Sequence, residues 1–259
     1  MHNAVLEKAK GLNEQNNDAL VDVGIGQPII LLNGLFGSLS NWTSVIDNFS
    51  DKYRIIIPNL SVFDSPIQDA HLDRLVFLLE QFIERNRLNN VILIGNSLGG
   101  HVALLYTIWN PGKVKRLILT GSSGLYEDSL GKTFPRVRDY DFIRERVSHT
   151  FHNKSVVTKA LVDEVFDTVS SIPKSLRIIG LARSAQRNNL ADLLDRIFVP
   201  TLLIWGLQDV ITPPEVGLQF HSLIPKSELF LIDECGHVPM MEQPELFNAY
   251  VSDFLTKQF

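Results

Sequence analysis

Short aliphatic runs that do not alternate with polar residues constrain this chain more than any other feature. They recur at residues 28–32, 54–58, 90–94, 116–120, 201–205 and 228–232. A strand with one wet face alternates apolar and polar residues, so a run that is apolar throughout predicts a strand covered on both faces. Helical periodicity fills the gaps. Leu72, Leu75, Val76, Leu79 and Ile83 fall at i, i+3, i+4 and i+7 spacing, residues 102–109 read as a helix, and a closing helix covers residues 244–255. Strands separated by helices imply right-handed crossovers and a doubly wound, mostly parallel α/β sheet. Ligands of such sheets bind at the carboxyl ends of the strands.

One stretch breaks the alternation. Residues 128–188 carry no convincing strand and three helical stripes: Phe142 or Ile143 with Val147 and Phe151; Val157, Leu161, Val165 and Val169; and Leu176, Ile179 and Ala182 or Arg183. The expected organisation is a core of residues 1–127 and 189–259 with a helical cap, 128–188, inserted over the carboxyl edge. A chain of 259 residues can bury one such core. The balance of 24 basic and 29 acidic residues leaves a net charge of −5, without the positive field that a nucleic-acid partner requires. Cys235 is the single cysteine, which rules out an intramolecular disulfide and a multi-cysteine metal centre. No signal-like segment and no apolar run of about 18 residues occurs, so a cytoplasmic protein without a membrane partner is expected.

Gly95-Asn96-Ser97-Leu98-Gly99 has the form G-x-S-x-G and lies between a predicted strand and a predicted helix. That context turns a common pentapeptide into a nucleophile elbow, with a serine hydroxyl projecting above the sheet. A serine attacks well only if a base takes its proton. Asp209 follows one late strand and His237 follows the last, and the order Ser97, Asp209, His237 is the one expected for this architecture. His237 is the candidate general base and acid, and Asp209 the group that orients it. The Leu98 N–H, at the positive end of the following helix, is one candidate oxyanion donor. The Leu35 N–H in the glycine-rich turn after the first strong strand is the other, with Phe36 expected to line the pocket beside it.

These residues resemble the serine-nucleophile branch of the α/β-hydrolase family with a helical cap, from about Ala19 onward. The elbow, the Gly206-Leu207-Gln208-Asp209 turn and the Gly-His-x-Pro-x-x-Glu-x-Pro stretch from Gly236 to Pro244 carry the likeness. The resemblance implies no cofactor, no metal, and hydrolysis of a small-molecule ester, thioester, lactone or amide through an acyl-enzyme. Relatives that cleave carbon–carbon bonds or perform lyase steps supply the alternative, and a non-catalytic binding protein on the same fold is a third reading, disfavoured by the intact Ser/Asp/His set.

Three departures stand out. Asn33-Gly34 replaces the usual His-Gly before the oxyanion turn, with Asn33 expected to bond loop backbone. The loop Asn59-Leu60-Ser61-Val62-Phe63-Asp64-Ser65 lacks the family's glycines, and Phe63 is expected to intrude on the pocket. Val238 follows His237 where carbon–carbon hydrolases of meta-cleavage products commonly have Trp, and the cap helix around Glu164 lacks their usual Arg. His149, His152, His101, Cys235, Met240 and Met241 are read as solvent-facing or packing residues. Charge is split between the parts. The cap segment holds 11 Lys or Arg against 7 Asp or Glu, leaving the rest at −9. This asymmetry points to a preference for an acyl substrate bearing negative charge, through steering. Oligomeric state and substrate identity are open at this stage.

Overall fold

The computed structural model describes residues 19–36, 39–60, 66–128 and 138–259. Seven strands form one sheet: β1 (Ala19–Val23), β2 (Pro28–Leu32), β3 (Arg54–Pro58), β4 (Val91–Asn96), β5 (Val114–Thr120), β6 (Thr201–Gly206) and β7 (Ser227–Ile232). Their order is β1-β3-β2-β4-β5-β6-β7, and every pairing is parallel except β1 with β3. All six apolar runs are strands.

β1 was not expected. It alternates buried and accessible residues, with Leu20 exposed and Asp22 paired to Arg54 at 2.7 Å. Edge strands read this way because only one face meets a core. The opposite edge departs from expectation too. β7 is apolar in sequence, yet most of it is only partly buried and Leu231 is exposed, because its outer side has no neighbouring strand.

The central strands are apolar throughout because consecutive side chains enter different cores. Ile30 and Leu32 of β2 and Leu93 of β4 pack with α2 (Leu72–Arg85), α3 (Leu98–Trp109) and α7 (Pro214–Leu223). Ile29, Leu31, Ile92 and Ile94 pack with α1 (Thr43–Phe49), with Met240 of the short α8 (Pro239–Glu242) and with α9 (Pro244–Thr256) on the other face. Buried Arg116 of β5 donates to the carbonyls of Phe254, Leu255 and Lys257, satisfying the open end of α9.

Between β5 and β6 the chain forms α4 (Tyr140–Thr150), α5 (Lys159–Ser170) and α6 (Ile172–Arg187). Asp139 and Thr158 cap α4 and α5 through their side-chain oxygens. Ile143 and Val147 of α4 and Leu161, Val162, Val165 and Val169 of α5 join the α1/α9 core. In α6 the buried stripe is Ile178, Leu181, Ala182 and Ala185, whereas Leu176 is exposed. The third stripe is therefore rotated from the expected one: Ile178 and Ile179 are adjacent, and either could have started it. Among the described residues no helix is long and apolar enough to cross a membrane.

Candidate active site

Ser97 sits between the last residue of β4 and the first of α3 with φ +54° and ψ −120°. A side chain rarely adopts this conformation, and here close packing enforces it. A Cβ added to Gly95 would lie 2.6 Å from Gly100 backbone, so strand and helix touch around the turn. The Ser97 carbonyl accepts hydrogen bonds from the N–H groups of His101 at 3.2 Å and Ser123 at 3.1 Å. The Ser123 hydroxyl stands 3.4 Å from the same oxygen.

Leu98 opens α3 and Leu35 lies in the turn after β2. A Cβ on Gly34 would be 3.2 Å from the Ser97 Cβ, so the turn carrying Leu35 abuts the elbow. Among the described residues, the partner found for the Asn33 side chain is an indole. Asn33 Oδ1 accepts from the indole Nε1 of fully buried Trp42 at 2.6 Å. The indole reaches back from the short helix before α1 to take this oxygen.

Asp209 stands three residues past β6 and His237 five past β7. His237 Nδ1 lies 2.8 Å from Asp209 Oδ2, and both side chains are almost wholly excluded from solvent. A carboxylate only accepts, so Nδ1 carries the proton and Nε2 is the free base. Asp209 Oδ1 accepts from Ile211 N at 2.9 Å and Thr212 N at 3.0 Å, an Asx-type turn, while the Thr212 hydroxyl donates to Oδ2 at 2.9 Å. Burial pulls the His237 pKa down. The charge and hydrogen bond of Asp209 outweigh that, Glu127 and Glu242 add to them, and the pKa stands above its ordinary 6.5.

Three further groups hold the imidazole. Asn96, the neighbour of Ser97, donates through Nδ2 to the carbonyls of Thr120 at 3.0 Å and His237 at 3.1 Å. Gly121 has φ +51°, and a Cβ there would come within 2.9 Å of the His237 ring. Glu242 takes the N–H of Gly236 at 2.9 Å. Sequence reading missed these residues, Ser123 and Thr212. Asn96 and Glu242 lie inside the quoted motifs, and Thr212 is three residues past Asp209, a spacing that favours side-chain capping. Gly121 carries no comparable signal.

The remaining candidates fall as follows. Val238 is buried in the core shared with α4 and α5. Phe36 is exposed. Phe63 lies outside the described residues. His149 and His152 are exposed, Cys235 is fully buried with its thiol pushed far up by burial, and no group of three or more His, Cys, Asp or Glu is placed to hold a metal among the described residues. His101 is fully buried with Nδ1 3.3 Å from the Ser123 hydroxyl.

Known proteins share this arrangement of strands and helices. The chain is 27% identical to a 2-hydroxy-6-oxo-6-(2'-aminophenyl)hexa-2,4-dienoic acid hydrolase of Metapseudomonas resinovorans, over 98% of this chain and 97% of that one. It is 24% identical to Lipase 3 of a Moraxella species, covering 91% of this chain and 80% of the lipase. Among solved structures, MGS-MChE2, an α/β hydrolase enzyme from the metagenome of sediments of the Mar Chica lagoon in Morocco, superposes with a TM-score of 0.74. That protein is 38% identical, covering 91% of this chain and 93% of its own. The alpha/beta hydrolase fold family matches residues 27–244. With that match over most of its length and the same fold in a solved relative, the chain belongs to the α/β hydrolase fold family.

Proposed function

We propose that this hydrolase-fold protein is a serine hydrolase that cleaves a small-molecule ester or related acyl bond without a cofactor. The observation that carries the reading is the buried Asp209–His237 pair at 2.8 Å, whose loop is tied to Asn96, the residue beside Ser97. With Nδ1 committed to Asp209, Nε2 takes the Ser97 proton as Oγ attacks the substrate carbonyl. The Leu98 and Leu35 N–H groups receive the oxyanion. His237 then protonates the leaving alcohol, and water activated by the same nitrogen releases the acid and restores Ser97. Residues 128–188 act as the cap. The inner faces of α4 and α5 are aliphatic and share a core with Val238, which favours an apolar acyl portion beneath them.

Carbon–carbon hydrolysis is the second reading, because relatives of this length include hydrolases of 2-hydroxy-6-oxo-dienoates. Val238 in the place of Trp and an α5 without Arg weigh against it. Labelling with a fluorophosphonate probe followed by mapping of the adduct tests the serine hydrolase directly. An adduct on Ser97 is expected, and folded protein without one sinks the reading. Nitrophenyl esters of increasing acyl length, set beside a vinylogous 1,5-diketone acid, separate ester from carbon–carbon cleavage.

A further inference from the structure

Glu242 is buried at 7% exposure, five residues past His237, and its carboxylate is spent on backbone rather than on a cation. Oε1 accepts from Gly236 N at 2.9 Å. Oε2 accepts from His152 N at 2.8 Å and Asn153 N at 3.0 Å, in the turn that leaves α4. Three N–H donors compensate a charge that burial would otherwise penalise heavily. A fourth bond runs beside them, from His237 N to the Thr150 carbonyl at 3.0 Å. There is no slack in the joint. A Cβ on Gly236 would meet His152 N at 2.7 Å and Thr150 O at 2.9 Å.

We propose that Glu242 is a positioning residue that clamps the loop of the catalytic base to the end of α4, so that placement of the helical segment over the site sets the placement of His237. The proposal rests on the serine-hydrolase reading. Gly236 and His237 are consecutive, so both backbone N–H groups that orient the imidazole segment are held by or through the α4 exit turn. A shift of that turn is transmitted to the base without passing through the substrate. The clamp has an electrostatic consequence as well. The groups facing His237 are Asp209, Glu127 and Glu242, while Cys235 lies buried beside Glu242 and the exposed His152 side chain faces Asp233. Neutralising Glu242 removes one of the three negative charges that keep His237 protonated to higher pH.

The test is Glu242→Gln. A glutamine of the same size accepts on one side only, so either Gly236 or the His152–Asn153 pair loses its partner. One sample of wild type is labelled with the fluorophosphonate to map the adduct to Ser97; kcat, KM and the pH profile of unlabelled wild type and variant are then measured on a short nitrophenyl ester. The expected result is a fall in kcat of about tenfold or more, KM changed by less than about threefold, and an acid limb of kcat/KM displaced to lower pH. Should E242Q fail to fold, Asn153→Pro deletes one donor while keeping the Glu242 charge, at a residue whose φ of −79° suits proline, with Asn153→Ala as the control for the Ser155 bonds that the side chain also accepts. N153P should lower kcat several-fold and leave the acid limb in place. Wild type that resists labelling defeats the serine-hydrolase reading. Wild type that labels, alongside an E242Q or N153P whose kcat and acid limb are unchanged, overturns the clamp alone.

Discussion

His237 Nδ1 and Asp209 Oδ2 lie 2.8 Å apart, and the same carboxylate takes three more hydrogen bonds from Ile211 and Thr212. His237 is thus paired with a carboxylate that cannot rotate away. Only neutral His237 accepts a proton, and its pKa is raised above 6.5, so kcat/KM should fall as pH drops through a value above 6.5. Asp209→Asn removes the largest raising influence and leaves burial in control. Its acid limb should move to lower pH, and kcat should drop by about four orders of magnitude, as loss of the orienting carboxylate does in a serine triad. A pH profile on a nitrophenyl ester checks both, and an unmoved limb would exclude His237 as the titrating base.

Trp42 Nε1 donates to Asn33 Oδ1 at 2.6 Å, which pins the start of the turn that presents Leu35. Asn33→Ala strands a buried indole N–H, at a cost of about 1–3 kcal/mol. The turn should loosen with it, lowering kcat about tenfold and KM little. A double-mutant cycle with Trp42→Phe measures the link. Coupling of about 1 kcal/mol in stability is expected, and additive single effects would show that the bond does not hold the turn.

These two sites also show what a sequence can and cannot reveal. The positions of Ser97, Asp209 and His237 were legible because each follows a strand whose sequence is apolar throughout, and the fold brings strand ends to one edge. The Asn33–Trp42 bond was not, since a partner nine residues away across a turn leaves no periodic trace. β1 escaped notice because Val21 and Val23 alternate with accessible residues, as suits an antiparallel edge. The α6 stripe was misassigned because the register of a helix is ambiguous where two isoleucines are adjacent. Gly121 illustrates the far limit. Its φ of +51° and its approach to the His237 ring exist only once β5 and β7 share a sheet.

His101 lies beneath the elbow, and burial lowers its pKa to about 4 against a weak opposing pull from the Asn188 backbone. Among the described residues its Nε2 has no partner at hydrogen-bond geometry, which agrees with a neutral ring. The folded state therefore resists a proton that the unfolded chain binds near 6.5. Between those values the unfolded state holds more protons, so stability should decline as pH falls from about 6.5 to 4, by about 3 kcal/mol from this residue. Urea unfolding across that range, compared with His101→Asn, isolates the contribution. The variant should be less stable at pH 7 but show a shallower acid slope, and parallel slopes would remove His101 from the account.

The charge split between segments leads to a prediction about substrate charge. The cations of the α4–α6 segment include exposed Arg144, Lys159, Arg183 and Arg187, while its buried stripes are aliphatic. Such cations act from the outside, through the field that guides a ligand in, rather than by contact at the reacting atoms. Fields of this kind fade over a Debye length, about 10 Å at 0.1 M salt and 3 Å at 1 M. An ester with a carboxylate remote from its carbonyl should therefore lose kcat/KM several-fold between 10 mM and 500 mM salt, with kcat nearly constant, because association rather than chemistry is screened. A neutral ester of equal length should respond little. The paired measurement decides the matter: equal salt responses would mean that the positive charge serves the joint between cap and acidic core, and that substrate charge plays no part in recognition.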